Sequence, residues 1–233
     1  VEHVHSNLAA VRERLAAAAR ASGRDPGDIR LIAVSKTFPA EAVRAAYDAG
    51  QRDFGENKVQ EALQKQEQTP GLDARWHLIG HLQSNKARRA ATAFAAIHSI
   101  DSLDLLEKVD AAAGESGATP DVFVQVDLAG EATKFGAPEA QVDAIVRGAS
   151  RCRAARLVGL MLLPPWSDDP EAARPYFRRL RELRDRLAGQ SAEGSQLRRL
   201  SMGMSHDFEV AIQEGATDVR VGTAIFGTRD RAK

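Results

Sequence analysis

The chain has 233 residues, 43% of them hydrophobic, with 32 Lys plus Arg against 32 Asp plus Glu. That length suits a single α/β barrel with a substantial core, and a formal charge of zero gives no electrostatic basis for general polyanion binding. Cys152 is the sole cysteine, so an internal disulfide is excluded and a Cys-based metal cluster is argued against.

Val4, Leu8, Val11 and Leu15 recur at helical spacing, with Arg and Glu between them, and the pattern stops at Ser22-Gly23, which predicts a covering helix over Val4–Ala21. Residues 31–37 form a short apolar run with β-branched members, closed by Phe38-Pro39, which reads as a strand covered by helices. A helix over 40–49 follows, ended by Gly50. The same unit then recurs: strand 52–55 with helix 56–68, strand 75–82 with a helix capped by 84–86 and running to 93, and strand 95–100 with helix 102–113. Strand 121–127 precedes helix 138–148, and strand 157–163, stopped by Pro164-Pro165, precedes a long basic helix over 170–187 in which Pro175 lies near the first turn or makes a kink. Strand 200–204, helix 206–214 and strand 218–222 complete the series. Eight strands alternating with helices predict a single (β/α)8 TIM barrel with an extra N-terminal helix, taking residues 1–233 as one domain. No long apolar run or secretory leader is visible, and no exposed apolar stripe demands a second copy. The expectation is a soluble cytoplasmic monomer with no nucleic-acid or membrane partner.

Along the first strand Ile32, Val34 and Lys36 share one face, so Lys36 continues an apolar row at the strand exit. Two readings stand: a strand-end lysine reaching for water, or an amine that forms a Schiff base with a carbonyl group or with pyridoxal 5'-phosphate (PLP), helped by a buried barrel mouth. Barrel sites lie at the C-terminal strand ends, with phosphate often held after strands seven and eight. There the sequence supplies Ser201-Met202-Gly203 and Gly222-Thr223-Ala224, whose glycines and hydroxyls suit a phosphate or an ordinary turn. Arg220 lies between Val219 and Val221 and therefore points opposite to them, into the mouth if the valines meet helices. Its partner is either a structural carboxylate, Asp53 or Asp218, or the ring nitrogen of a pyridine cofactor.

Several stretches together resemble a known family: residues 33–37 (Ala-Val-Ser-Lys-Thr), 54–57 (Phe-Gly-Glu-Asn) with Gln60-Glu61, and 77–86, which begins His-Leu-Ile-Gly-His. So do 98–102, 159–161, 200–205 (Leu-Ser-Met-Gly-Met-Ser) and 220–227 (Arg-Val-Gly-Thr-Ala-Ile-Phe-Gly). The resemblance runs in order along nearly the whole chain and is to the pyridoxal phosphate homeostasis proteins, single-domain relatives of the alanine racemase barrel with the fold-type III mode of PLP binding. It implies that Lys36 carries the Schiff base, that Arg220 meets the pyridine nitrogen, and that Ser201, Gly222 and Thr223 cradle the phosphate. It further implies that Asn57, His77, Met161 and Met202 line the pocket; a helix cap for Asn57 and a core role for His77 are the alternatives. Lys134 follows the fifth strand where the family carries a similar loop, and is read either as a cofactor contact or as a solvated lysine. Lys58, Leu162-Leu163 and His206 depart from the family pattern without touching these positions.

The resemblance implies a protein of intracellular PLP homeostasis, holding PLP and passing it to PLP-accepting apoenzymes, rather than an enzyme. A guanidinium at the ring nitrogen keeps that nitrogen unprotonated and weakens carbanion chemistry. The larger relatives complete their sites with a second domain and an opposing tyrosine, whereas Tyr47 and Tyr176 both fall in predicted helices here. The alternatives are a PLP enzyme of racemase or weak transaminase type, and a cofactor-free phosphate-binding barrel.

Overall fold

A computed structural model describes residues 3–130 and 135–228. Eight parallel strands form the centre: β1 (Arg30–Val34), β2 (Asp53–Glu56), β3 (Arg75–Leu78), β4 (Ala96–Ile100), β5 (Asp121–Asp127), β6 (Arg156–Met161), β7 (Arg199–Ser201) and β8 (Asp218–Val221). Each pairs with its sequence neighbour, β4 pairs with β5, and β8 returns to pair with β1, so the sheet closes on itself as the alternation predicts. A two-residue stretch, Ala137–Pro138, adds to the end of β5 outside the ring.

The covering helices are α1 (Val4–Ala21), α2 (Ala40–Asp48), α3 (Val59–Gln68), α4 (Ala87–Ala93), α5 (Leu103–Ser116), α6 (Glu139–Gly148), α7 (Arg174–Ala188), α8 (Phe208–Gln213) and the single turn α9 (Thr223–Phe226). The extra helix α1 buries Val4, Leu8, Val11 and Leu15 against α2, α8 and α9. Asn7 Nδ2 also donates to the Ile225 carbonyl at 3.0 Å, so α1 braces the β8–α9 corner.

Period-two alternation sorts the strand side chains into two sets. Ala33, Phe54, Leu78, Ile97, Val124, Leu160, Leu200, Val219 and Val221 pack outward with the helices in the main core. Inside the ring the apolar content is small, with Ala96, Phe123 and Met161 clustered together among buried polar groups that include Asp53, His77, His98, Ser201 and Arg220.

Several strands are shorter than the sequence predicts, for steric reasons. The third ends at Leu78 because the chain then passes directly over Asn57: a Cβ on Gly80 would lie 2.3 Å from the Asn57 carbonyl oxygen. The seventh ends at Ser201 because Gly203 takes φ +97° to tuck beneath α8, where an added Cβ would meet the Ala211 methyl at 2.6 Å. The helix expected from residue 56 starts at Val59, since Glu56 is a fully buried strand residue. The 170–187 helix divides into a 3-10 turn, Pro170–Ala173, capped by Asp169, and α7, which has Pro175 in its first turn as expected.

Candidate functional site at the C-terminal mouth

The C-terminal strand ends surround a cleft of about 760 Å³. Lys36 enters it from the turn after β1, Asn57 from the exit of β2, and Ile79, Gly80 and His81 from the exit of β3. Gln125 rises from β5, Leu163 and Trp166 lie beyond β6, Met204, Ser205 and His206 beyond β7, and Arg220, Gly222, Thr223 and Ala224 line the β8 side. Two basic side chains, Lys36 and Arg220, thus share one cleft, and among the described residues that line it there is no carboxylate. Such a surface suits an anion.

Of the residues singled out in the sequence, Lys36, Asn57, Arg220, Gly222 and Thr223 come together here. Ser201, His77, Met161 and Met202 do not line the cleft. Ser201 is fully buried one layer deeper, because β7 ends with its side chain turned into the barrel, where it meets His98 and Arg220 rather than the cleft. His77 is likewise a core histidine, bonded to His98 and Asp53. Met161 packs with Ala96 and Phe123 inside the ring, and Met202 faces outward into the helix-packed core. Lys134 lies outside the described residues.

The hydroxyl that does reach the mouth is Ser205: its Oγ accepts from the Gly222 N–H at 3.1 Å and from the Ala224 N–H at 3.2 Å. The loop after β7 and the chain after β8 therefore meet at one polar corner with Thr223. No local pattern distinguishes Ser205 from Ser201, four residues earlier; only the turn at Gly203 decides which hydroxyl faces the cleft.

Arg220 is anchored from behind. Its Nη1 donates to Ser201 Oγ at 2.6 Å, its Nη2 to the Leu162 carbonyl at 2.9 Å, and its backbone N–H to the Gly203 carbonyl at 2.9 Å. Burial pulls the guanidinium down to about 10, against support from Asp207 and Asp218, so it keeps its charge at neutral pH. Arg220 forms no direct pair with either structural carboxylate: Asp218 bonds Arg199 and Arg30, and Asp53 bonds Arg75 and His77.

A chain of hydrogen bonds instead joins Arg220 to Asp53 across the barrel interior. Ser201 Oγ lies 2.7 Å from His98 Nδ1, His98 Nε2 lies 3.0 Å from His77 Nδ1, and His77 Nε2 lies 2.9 Å from Asp53 Oδ1. Burial opposes the Asp53 charge, but hydrogen bonds from His77 and Arg75 hold its carboxyl down to about 2. Burial, with the positive charge of neighbouring groups, keeps His98 well below the usual histidine range. With Asp53 ionised and His98 neutral, every link is satisfied when His77 donates to Asp53, His98 to His77 and Ser201 to His98, while Arg220 donates to Ser201. All four bonds run in the same direction.

The cleft walls are aromatic. His81 stacks on Phe135 with ring centroids 3.7 Å apart, and Trp166 tilts against His206 at 5.0 Å. Phe135 and Trp166 are the exposed large apolar side chains among the described residues. Tyr47 and Tyr176 sit away from the cleft, and the Tyr47 hydroxyl accepts from the Asp73 N–H at 3.2 Å. Among the described residues no cluster of three or more His, Cys, Asp or Glu side chains is arranged to hold a metal. The Cys152 thiol is remote and half-buried; burial, with Asp110 and Glu107 nearby, pushes it up to about 11, which leaves it a poor nucleophile. No helix among the described residues is long and apolar enough to cross a membrane.

Comparison with known proteins gives a consistent result. The family model described as the alanine racemase N-terminal domain matches residues 6–230. The sequence is 42% identical over 222 residues to the pyridoxal phosphate homeostasis protein of Aquifex aeolicus, covering 95% of this chain and 96% of that one. Its counterpart in Pseudomonas aeruginosa is 44% identical over 228 residues, covering 97% and 96%. The solved structure of PipY from Synechococcus elongatus with PLP bound superposes with a TM-score of 0.85 at 42% identity, covering 96% of this chain and 100% of that one. An alanine racemase from Clostridium difficile shares the fold, with a TM-score of 0.69 at 15% identity; this chain spans 58% of its length.

Proposed function

The chain belongs to the pyridoxal phosphate homeostasis proteins, within the alanine racemase N-terminal domain family, and from that premise we propose that its cleft holds PLP and that the protein serves PLP homeostasis. The observation that carries this reading is the meeting of Lys36 and Arg220 in one cleft with no described carboxylate on its wall. A phosphorylated pyridine aldehyde answers these features: its phosphate meets the hydroxyls of Ser205 and Thr223, its ring meets apolar and aromatic walls with Arg220 at its nitrogen, and its aldehyde meets an amine. PipY, similar over almost its whole length, has been solved with PLP bound.

When bound, PLP supplies an aldehyde carbon that links covalently to a lysine amine with loss of water. Lys36 would provide that amine. Ser205, whose Oγ is oriented by the Gly222 and Ala224 N–H groups, would hold the phosphate together with Thr223, in place of the Ser201 hydroxyl. Asn57 would border the ring, its backbone fixed by the close passage of Gly80. Arg220 would meet the ring nitrogen; fixed by Ser201 and the Leu162 carbonyl, it presents a permanent positive charge and so opposes protonation there. His77 and Ser201 act on the site through Arg220 rather than by touching the ligand.

This arrangement favours keeping PLP over turning substrates over. A racemase needs a second acid–base group opposite the lysine, and neither tyrosine of this chain lines the cleft. We therefore read the protein as a cytoplasmic, monomeric PLP carrier whose recipients are PLP-accepting apoenzymes. Purified protein given PLP is expected to gain a visible absorbance band that borohydride abolishes, leaving a stable mass increase on Lys36. Absence of the band, or its persistence in Lys36→Ala, overturns the reading. Steady turnover of an amino acid by the pure protein would favour the enzyme alternative.

A further inference from the structure

The turn that carries Lys36 is built from Ser35, Lys36 and Thr37, and Thr37 takes φ +68°, the one positive φ on a non-glycine residue among the described residues. A β-branched residue resists that left-handed conformation, so surrounding contacts must hold it. The Thr37 N–H donates to Glu61 Oε1. Glu61 Oε1 also accepts from Lys65 Nζ at 2.9 Å, and the same ammonium donates to the Ser35 carbonyl at 2.7 Å and to Glu56 Oε1 at 2.6 Å. Glu56 Oε1 takes a further bond from the Ser35 hydroxyl at 2.6 Å. Both residues flanking Lys36 are thus tied to one buried ion cluster on the far side of the turn from the cleft.

The cluster is expensive as mere packing. Glu56 is fully buried and Lys65 is 4% exposed, and Glu56 Oε2 has no hydrogen-bond partner. Burial raises the Glu56 carboxyl above its usual range despite the bonds from Lys65 and Ser35. Replacing a buried ion pair by apolar side chains of similar volume is often neutral or stabilising, so what this one supplies is direction: three fixed points around a single residue. Lys65 and Glu61 lie one helical turn apart on α3, and Glu56 ends the strand beside β1, so two elements jointly set the angle at which the turn leaves the sheet.

We infer that Glu56, Glu61 and Lys65 form a clamp of positioning residues that holds Thr37 in the left-handed conformation and thereby aims Lys36 into the cleft. The inference rests on the reading of Lys36 as the PLP-linking amine. Glu61 is its most informative member, because it is part-exposed and replaceable without stranding a fully buried charge.

The test compares four proteins: wild type, Glu61→Ala, Glu61→Gln and the double variant Glu61→Ala/Thr37→Gly. Loss of the Thr37 anchor in Glu61→Ala is expected to lower PLP affinity and the rate of borohydride-fixable attachment at Lys36 by about tenfold. Glu61→Gln keeps an oxygen that accepts from Thr37 N–H and is expected to stay within about threefold of wild type. The double variant is expected to regain most of the loss, because glycine adopts positive φ unaided. Wild-type behaviour of Glu61→Ala, or a loss that neither Gln nor the added glycine restores, overturns the clamp. Amide hydrogen exchange at Thr37, measured without PLP, separates the two readings: it is expected to quicken by more than about tenfold in Glu61→Ala, and unchanged exchange also overturns the clamp. Wild-type protein that takes no PLP overturns the reading of Lys36 alone, and the exchange result then decides the clamp.

Discussion

The two ends of the barrel hold similar side chains in opposite arrangements. At the N-terminal end every inward arginine finds a carboxylate: Arg75 meets Asp53 at 2.7 Å, Arg199 meets Asp218 at 2.8 Å, Arg156 meets Asp121 at 2.8 Å, and Arg30 reaches Asp218 at 3.4 Å and Asp53 at 3.6 Å. At the C-terminal end Lys36 and Arg220 face a cleft without a described carboxylate on its wall. The overall charge of zero conceals this asymmetry. One mouth is an ion-paired plug, the other a cationic socket, and the directed chain from Arg220 to Asp53 runs between them.

On that division, substitutions at the plug should affect folding and substitutions at the socket should affect PLP. The largest effect is expected from Asp53→Asn, which leaves Arg75 and His77 without their anion and should lower unfolding free energy by about 3 kcal/mol in denaturant titrations, with PLP affinity of the folded fraction nearly unchanged. A comparable loss of PLP affinity would merge the two ends into one functional unit. Arg220→Met strips the Ser201 hydroxyl and Leu162 carbonyl of their donor; about 2 kcal/mol of stability should go with it, together with a change in the absorbance of bound PLP that Asp53→Asn does not produce.

Acid should weaken the link between the ends. Because the folded-state pKa of His98 is depressed, the unfolded chain binds the extra proton first, and stability present above about pH 6.5 is lost as pH falls below it. The expected slope from this one group is about 1.4 kcal/mol per pH unit, measurable from unfolding midpoints between pH 7 and 5.5, and His98→Gln should flatten it. A second decline, as pH falls from the ordinary aspartate range toward about 2, belongs to Asp53. The smallest effect is expected at the socket rim: Thr223→Val removes one hydroxyl and should weaken PLP binding by about 1 kcal/mol in equilibrium dialysis. Equal affinity would remove Thr223 from the phosphate corner.

The barrel was legible because each strand is a short apolar run bounded by Gly, Pro or polar residues, and each helix shows its own period. Lys36 and Arg220 were legible for the same reason: alternation along β1 and β8 places them on the inner face. The depth of Ser201 was not legible because the seventh strand reads two or three residues too long in the sequence, and the turn at Gly203 that ends it is a tertiary fit against Ala211. His98 needed its partners to have meaning. They are 21 and 103 residues away, in β3 and β7, and no local pattern encodes a contact across a barrel. The Glu56, Glu61 and Lys65 cluster was hidden differently: in the sequence those residues are ordinary members of an amphipathic helix, and only the docking of α3 on β2, the strand next to β1, shows that they reach the turn.

The seam between β1 and β8 carries one further consequence, for synthesis. Lys36 follows the first strand and Gly222, Thr223 and Ala224 follow the last, and the two strands meet in register, Leu31 beside Val219 and Ala33 beside Val221. A nascent chain therefore displays the amine long before the adjacent wall exists, and until β8 emerges the sheet has two open edges, β1 and β7. The cleft's last wall and the ring's last strand arrive together, so the site is complete only when the final strand is made and the barrel has closed.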